Sequence, residues 1–246
     1  MRCTLFTLGR RSLAALCLAM SWQASSQAAL TMSTTRVIYD GDRRSTSLVV
    51  ANPSKDTFAV QTWVNTASDD TITVVPFAVT PPLFRLDPTR QQQVQISGLP
   101  NTLPRDRESL FYFNLQEIPQ VAAGETNVLS IALRTRIKLF YRPPALKGSP
   151  EAGLKQLTWS TAMVGGKQQL VVDNPTAFHV TFSQVKLKAG ARTESVSTSE
   201  MAAPFSRQHY DLPAAEMTGP LQVEFTTITD YGGVSAPITT VVASNL

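Results

Sequence analysis

The stretch whose reading decides the fold runs from Asn127 to Pro143: NVLSIALRTRIKLFYRP. Successive side chains of a strand point to opposite faces. Leu129, Ile131 and Leu133 therefore share one face, and Arg134, Arg136 and Lys138 load the other. A strand from Val128 to Arg142 would be about 50 Å long at ~3.3 Å per residue, roughly twice the usual length. Two readings account for the apolar row. Either it fills the core of its own domain, or it forms an edge offered to another protein. Natural edges are blunted by charge, proline or bulges, and residues 129–133 carry neither charge nor proline.

Working outward, alternation dominates the chain and no long segment has helical period. Phe58, Val60, Thr62 and Val64 alternate with Ala59, Gln61, Trp63 and Asn65. Leu48 and Val50, Val94 and Ile96, and Phe111, Phe113 and Leu115 follow the same rule. Turn signals at Asp40-Gly41, Asn52-Pro53, Pro81-Pro82, Pro100-Asn101 and Gly124 separate these runs. Short alternating strands between frequent turns predict an all-β sandwich or barrel. An internal echo, VVANPS at 49–54 and VVDNPT at 171–176, suggests two copies of one architecture. Pro143-Pro144 ends the long strand, and a short linker is placed near 144–152. The expected domains are 29–145 and 150–246.

Residues 1–28 read as a secretory signal peptide. Arg2, Arg10 and Arg11 form a positive start, Leu13 to Met20 an apolar core, and Ser26-Gln27-Ala28 a small-x-small cleavage site. The apolar run is shorter than the ~20 residues a membrane span needs. Both cysteines, Cys3 and Cys17, lie in this segment, so the rest of the chain has no disulfide or thiolate chemistry. Without the segment, 19 basic residues stand against 18 acids and the net charge falls from +4 to +1. No footprint for nucleic acid or an anionic membrane remains. Catalytic patterns are lacking too. His179 and His209 have no metal-ligand spacing, no nucleophile turn adjoins them, and Gly165-Gly166-Lys167 is not a phosphate loop. No enzyme, metal or cofactor is expected. A surface adhesin with Trp63 or Trp159 stacked on a sugar is the rival reading, although no pair of carboxamides and acids is expected to cluster near either.

Five phrases in order, TRVIYDG (35–41), TPPLFRLDP (80–88), LPRDRESLFYFNLQEIP (103–119), IALRTRIKLFYRP (131–143) and ITDYGG (228–233), resemble the periplasmic chaperones of the chaperone–usher pilus pathway. The resemblance implies two immunoglobulin-like β-sandwich domains in a boomerang arrangement. It implies a client, a pilus subunit lacking its last strand, whose groove the chaperone fills by strand addition. Leu129, Ile131 and Leu133 would be the donor row. Arg36 and Lys138 would hold the subunit's terminal carboxylate, and Glu108, Arg142 and Asp230 would form an interdomain ion-pair network. The short connection PQVAAGETN before Val128 resembles the short-loop class. Partners implied are pilus subunits and an outer-membrane usher, in the periplasm. Whether the free protein caps its own edge as a homodimer stays open. So does the direction of Lys138, which by parity faces away from the Leu129 row unless a bulge or a change of surroundings intervenes.

Overall fold

The computed structural model describes residues 30–70, 72–119, 131–212 and 219–244. The signal-peptide reading, Leu129 and the short connection before Val128 lie outside them. The order of elements in the first domain is β1 (Thr31–Met32), β2 (Arg36–Asp40), β3 (Ser45–Ala51), β4 (Phe58–Asn65), β5 (Phe77–Thr80), β6 (Leu83–Leu86), β7 (Gln91–Gly98), β8 (Ser109–Pro119) and β9 (Arg134–Arg142). A one-turn helix, α1 (Pro150–Gly153), opens the second domain. There follow β10 (Thr158–Val164), β11 (Lys167–Asn174), β12 (Phe182–Ala189), β13 (Arg192–Val196), β14 (Ser206–Asp211), β15 (Leu221–Thr227) and β16 (Ile238–Ser244).

The first domain is two sheets face to face, β1-β3-β7-β5 and β2-β9-β8-β4-β6. Its core is the set of alternating positions read from sequence. Leu48, Val50, Val60, Val94, Ile96, Phe113 and Leu115 are all buried, and β9 adds Ile137 and Leu139. The first strand divides between the layers. Thr31 and Met32 pair antiparallel with β3, whereas Arg36 to Asp40 pair parallel with β9. Residues 33–35 carry the chain across. The second domain runs β13-β12-β15-β16-β10-β11-β14 around its own core of Trp159, Leu170, Val172, Leu187, Val223 and Phe225. There the last strand divides: Ile238 to Val241 pair with β15, and Val242 to Ser244 run parallel to β10.

The strand expected from Val128 to Arg142 is shorter among the described residues. Its ladder with β8 runs without a register break from Ser109↔Tyr141 to Gln116↔Arg134. One further bond, from Glu117 N–H to Leu133 O at 2.8 Å, extends it to Leu133. Residues 131–133 are not strand: the residue-by-residue ladder with β8 ends at Gln116↔Arg134, although β8 itself runs on to Pro119 paired with β4 on its other edge.

The sequence echo has a physical counterpart. Asn52 Oδ1 accepts from Ser54 N–H (3.1 Å) and Ser54 Oγ (2.7 Å), while its amide donates to Asp56 O and Leu86 O. Asn174 Oδ1 likewise accepts from Thr176 N–H (3.1 Å) and Thr176 Oγ1 (2.7 Å), while its amide donates to Phe178 O, Ala202 O and Ala203 O. Both asparagines are buried, so each staples a turn to the end of its sandwich with its polar atoms satisfied. Asn52→Ala and Asn174→Ala should each cost about 2–3 kcal/mol in urea unfolding, because several buried carbonyls and an N–H lose their partner at once.

Candidate functional site

Three features meet where the two domains face each other. The first is an edge. On the side away from β8, β9 is paired by β2 only from Lys138 onward, since Arg36 is opposite Lys138 and the chain before it has crossed to the other sheet. Upstream of Lys138 the described part of β9 presents unpaired backbone. Ile131 and Leu133, in phase with the core residues Ile137 and Leu139, are 63% and 51% exposed. These two side chains do not fill the core of their own domain.

The second feature is a pair of cations at the inner end of that edge. Arg36 and Lys138 are register partners on β2 and β9. Arg36 is 8% exposed. Its Nη1 donates to Ile228 O of the second domain at 3.0 Å, its guanidinium lies 5.8 Å from the Phe140 ring centroid, and its buried Nε has no partner among the described residues. Burial pushes the Arg36 pKa down, partly offset by the charges of Asp230 and Glu108. Burial, and then the charge of Arg36, pull Lys138 below the ordinary lysine value. Two cations that disfavour each other in a partly buried cleft are each relieved by a nearby anion. The parity question also resolves here. With no bulge in the ladder, Lys138 does face away from Leu133. What changes along that face is its cover: Lys138 is half-buried beside Arg36, and at Phe140 and Arg142 the second domain closes over it.

The third feature is the hinge. Arg142 Nε and Nη2 donate to Glu108 Oε1 at 3.0 and 2.7 Å, and Nη1 and Nη2 donate to Asp230 Oδ2 and Oδ1 at 2.9 and 3.2 Å. Burial opposes the Arg142 charge, but the bonds and charges of Asp230 and Glu108 outweigh it and hold its pKa above that of an ordinary arginine. The planar fork satisfies two acids from different domains, which fixes orientation more than it adds stability. Sequence reasoning missed further members. His179 donates its backbone N–H to Glu108 Oε2 at 2.8 Å, and its ring Nδ1 lies 3.2 Å from the same oxygen. Glu108 N–H donates to Ala177 O, and the Phe178 ring lies 5.3 Å from the Arg142 guanidinium. All three residues follow the Asn174 turn, whose amide holds Phe178 O at 2.8 Å. On the other side of the cleft, Gly232 (φ 80°) brings its loop against Thr35, where a Cβ would collide with Thr35 Oγ1.

The remaining cations of the opening stretch serve elsewhere. Arg134 lies 4.9 Å from the Trp63 ring and binds Asp69 and Asn114; Arg136 lies 3.8 Å from the Tyr112 ring and donates to Thr66 O. The structure corrects one sequence reading: Trp63 does have carboxamides and acids around it, in a groove lined by Gln61, Asn65, Gln116, Asp69 and Asp70. Gln61, Asn65, Asp69 and Asp70 lie within a few residues of Trp63 along the chain, and the fold adds Gln116 from β8. Yet Arg134 covers the indole, and both acids are engaged by Arg134, Asn65, Ser68 and Thr73. Trp159 is 2% exposed in the second core and offers no face to a sugar.

Residues 29–147 match the family model described as pili and flagellar-assembly chaperone, PapD N-terminal domain, and residues 152–239 match its C-terminal companion. The chain is 40% identical over 225 residues to the chaperone protein LpfB of Salmonella typhimurium, covering 90% of this chain and 92% of that one. It is 35% identical to the Escherichia coli chaperone protein PapD, covering 85% of each. Among solved structures, the YadV chaperone superposes with a TM-score of 0.76 at 35% identity, over 87% of this chain and all of that one. The SafB chaperone, crystallised with the Salmonella enterica SafA pilin, gives 0.74 at 32% identity, over 89% and 98%. The chain with the free edge, the paired cations and the bridged hinge belongs to the family of pilus-assembly chaperones, two-domain immunoglobulin-like proteins that are not enzymes.

Proposed function

We propose that this chaperone acts in the periplasm, after removal of residues 1–28, by lending the free edge of β9 to a newly exported pilus subunit and passing the subunit to an outer-membrane usher. The observation that carries this reading is the unpaired, buried Arg36 Nε beside half-buried Lys138 at the closed end of an open strand edge. A carboxylate fits that position by charge and by hydrogen bonding. Anchoring the subunit's chain end there also sets register, since a slip of one residue would turn every apolar side chain to the wrong face. Ile131 and Leu133, with Leu129 upstream, then fill the groove of the incomplete subunit. Each such side chain contributes about 1.5–3 kcal/mol on full burial. SafB, a relative by structure, is seen bound to a pilin. Glu108, Arg142 and Asp230 keep the two walls of the cleft at a fixed spacing. Without a subunit, the same row is open to a second copy of this chain.

Arg36→Ala or Lys138→Ala should reduce recovery of a co-expressed pilus subunit as a soluble one-to-one complex by tenfold or more, with the circular dichroism spectrum unchanged. Normal recovery by both variants would remove the anchor. Ile131→Glu should block capture, because it drives an unpaired charge into an apolar slot; capture at the wild-type level would end the strand-donation reading. The depressed Lys138 pKa gives a pH signature. Its ammonium is lost at lower pH than that of a free lysine, so affinity for a carboxylate-ended partner should fall as pH rises through that depressed value. Lys138→Arg should not show that fall. For the empty protein the sign is opposite: the cost of the buried ammonium is fully present below the folded-state pKa and is relieved as pH rises through it.

A further inference from the structure

His179 belongs to the second domain, yet its ring reaches two first-domain groups that matter to the cleft. One side meets Phe140, centroid to centroid at 5.4 Å and tilted by 48°. Nδ1 faces Glu108 Oε2 at 3.2 Å. Phe140 in turn is the platform 5.8 Å beneath the Arg36 guanidinium, and Glu108 Oε1 receives Arg142. The His179 side chain is 8% exposed and that of Glu108 2%. One buried ring thus backs the platform of the anchor cation and pins the carboxylate of the hinge. Among the described residues the Arg36 guanidinium has one hydrogen bond, to Ile228 O, and its Nε has none, so the direction of Nε depends on the ring below it.

We infer that His179 is a positioning residue that couples domain orientation to the aim of Arg36: its ring holds Phe140 under the guanidinium, and its Nδ1 holds Glu108 toward Arg142. This rests on the reading of the cleft as a carboxylate anchor and adds the residue that sets its geometry. His179 does not touch the captured chain end. Its two contacts are separable by substitution. His179→Asn keeps a donor at the place of Nδ1 and removes the ring from Phe140. His179→Phe keeps a ring against Phe140 and removes the side-chain bond to Glu108, leaving the one from the backbone N–H.

The test uses the full processed chain. Residues 29–246 contain no cysteine, so Gln93→Cys and Ser195→Cys can carry one spin label in each domain. The probe is a peptide of alternating valine and serine ending in a free carboxylate, compared with its C-terminal amide. His179→Asn should lower the acid-over-amide affinity ratio about tenfold and shift the Arg36 Nε–H resonance as the ring current of Phe140 moves away. The interdomain distance distribution should stay narrow. His179→Phe should broaden that distribution and leave the Arg36 resonance near its original position. Variants that merely melt at lower temperature, with the resonance and the distances both unchanged, would overturn the inference. A wild-type protein that binds acid and amide equally would refute the anchor itself; the resonance and the distances would still judge His179.

Discussion

The burial of one carboxylate governs how the halves of this molecule meet. Glu108 sits at the start of β8 with almost no access to water. A charge in that position persists only where it is paired and hydrogen-bonded. Its partners are Arg142 from β9 of its own domain and His179 and Ala177 from the other. Any rotation of one domain against the other would strip Glu108 of its second-domain donors. The same rotation would part Arg142 from Asp230 and Arg36 from Ile228 O. The cleft geometry is therefore over-determined by polar contacts that tolerate little slack.

Against that rigid junction stands a deliberate lack of completion. The first strand serves both sheets of its domain, leaving one for the other at residues 33–35. A strand that stayed beside β9 would have sealed it. Because it departs, the row that continues Ile137 and Leu139 toward Leu133 and Ile131 loses its cover. The outer face is treated differently. There Arg134 and Arg136 lie over Trp63 and Tyr112 and are bonded to β4, β8 and the loop after β4. One face of β9 is held down while its free edge and apolar row are left available.

Much of this was legible in sequence, for reasons that differ from residue to residue. Period-two alternation located Val50, Val60, Val94, Phe113 and Leu115, because burial on one face of a strand is a local property. The Asn-Pro echo was legible because the turn is made within a few residues of each asparagine. Arg36 and Lys138, or Glu108, Arg142 and Asp230, lie far apart in the chain, and only the resemblance to a family joined them. His179 was passed over since its chemistry lies in contacts 71 positions away, with no pattern around it beyond the preceding turn. The end of β9 at Arg134 was equally hidden. It depends on where β8 stops pairing with β9, at Gln116, which no property of residues 128–133 records.

The crossing at residues 33–35 has one more consequence. Because Arg36 enters β9's sheet opposite Lys138, the length of strand left bare is metered by a different strand, one that comes well before it in the sequence. Moving that crossing two residues earlier would lay backbone over part of the lending edge, and moving it later would bare more. The footprint offered to a visiting chain is thus a dimension written into the amino-terminal strand, and could be lengthened or cut without altering a single side chain of the row itself.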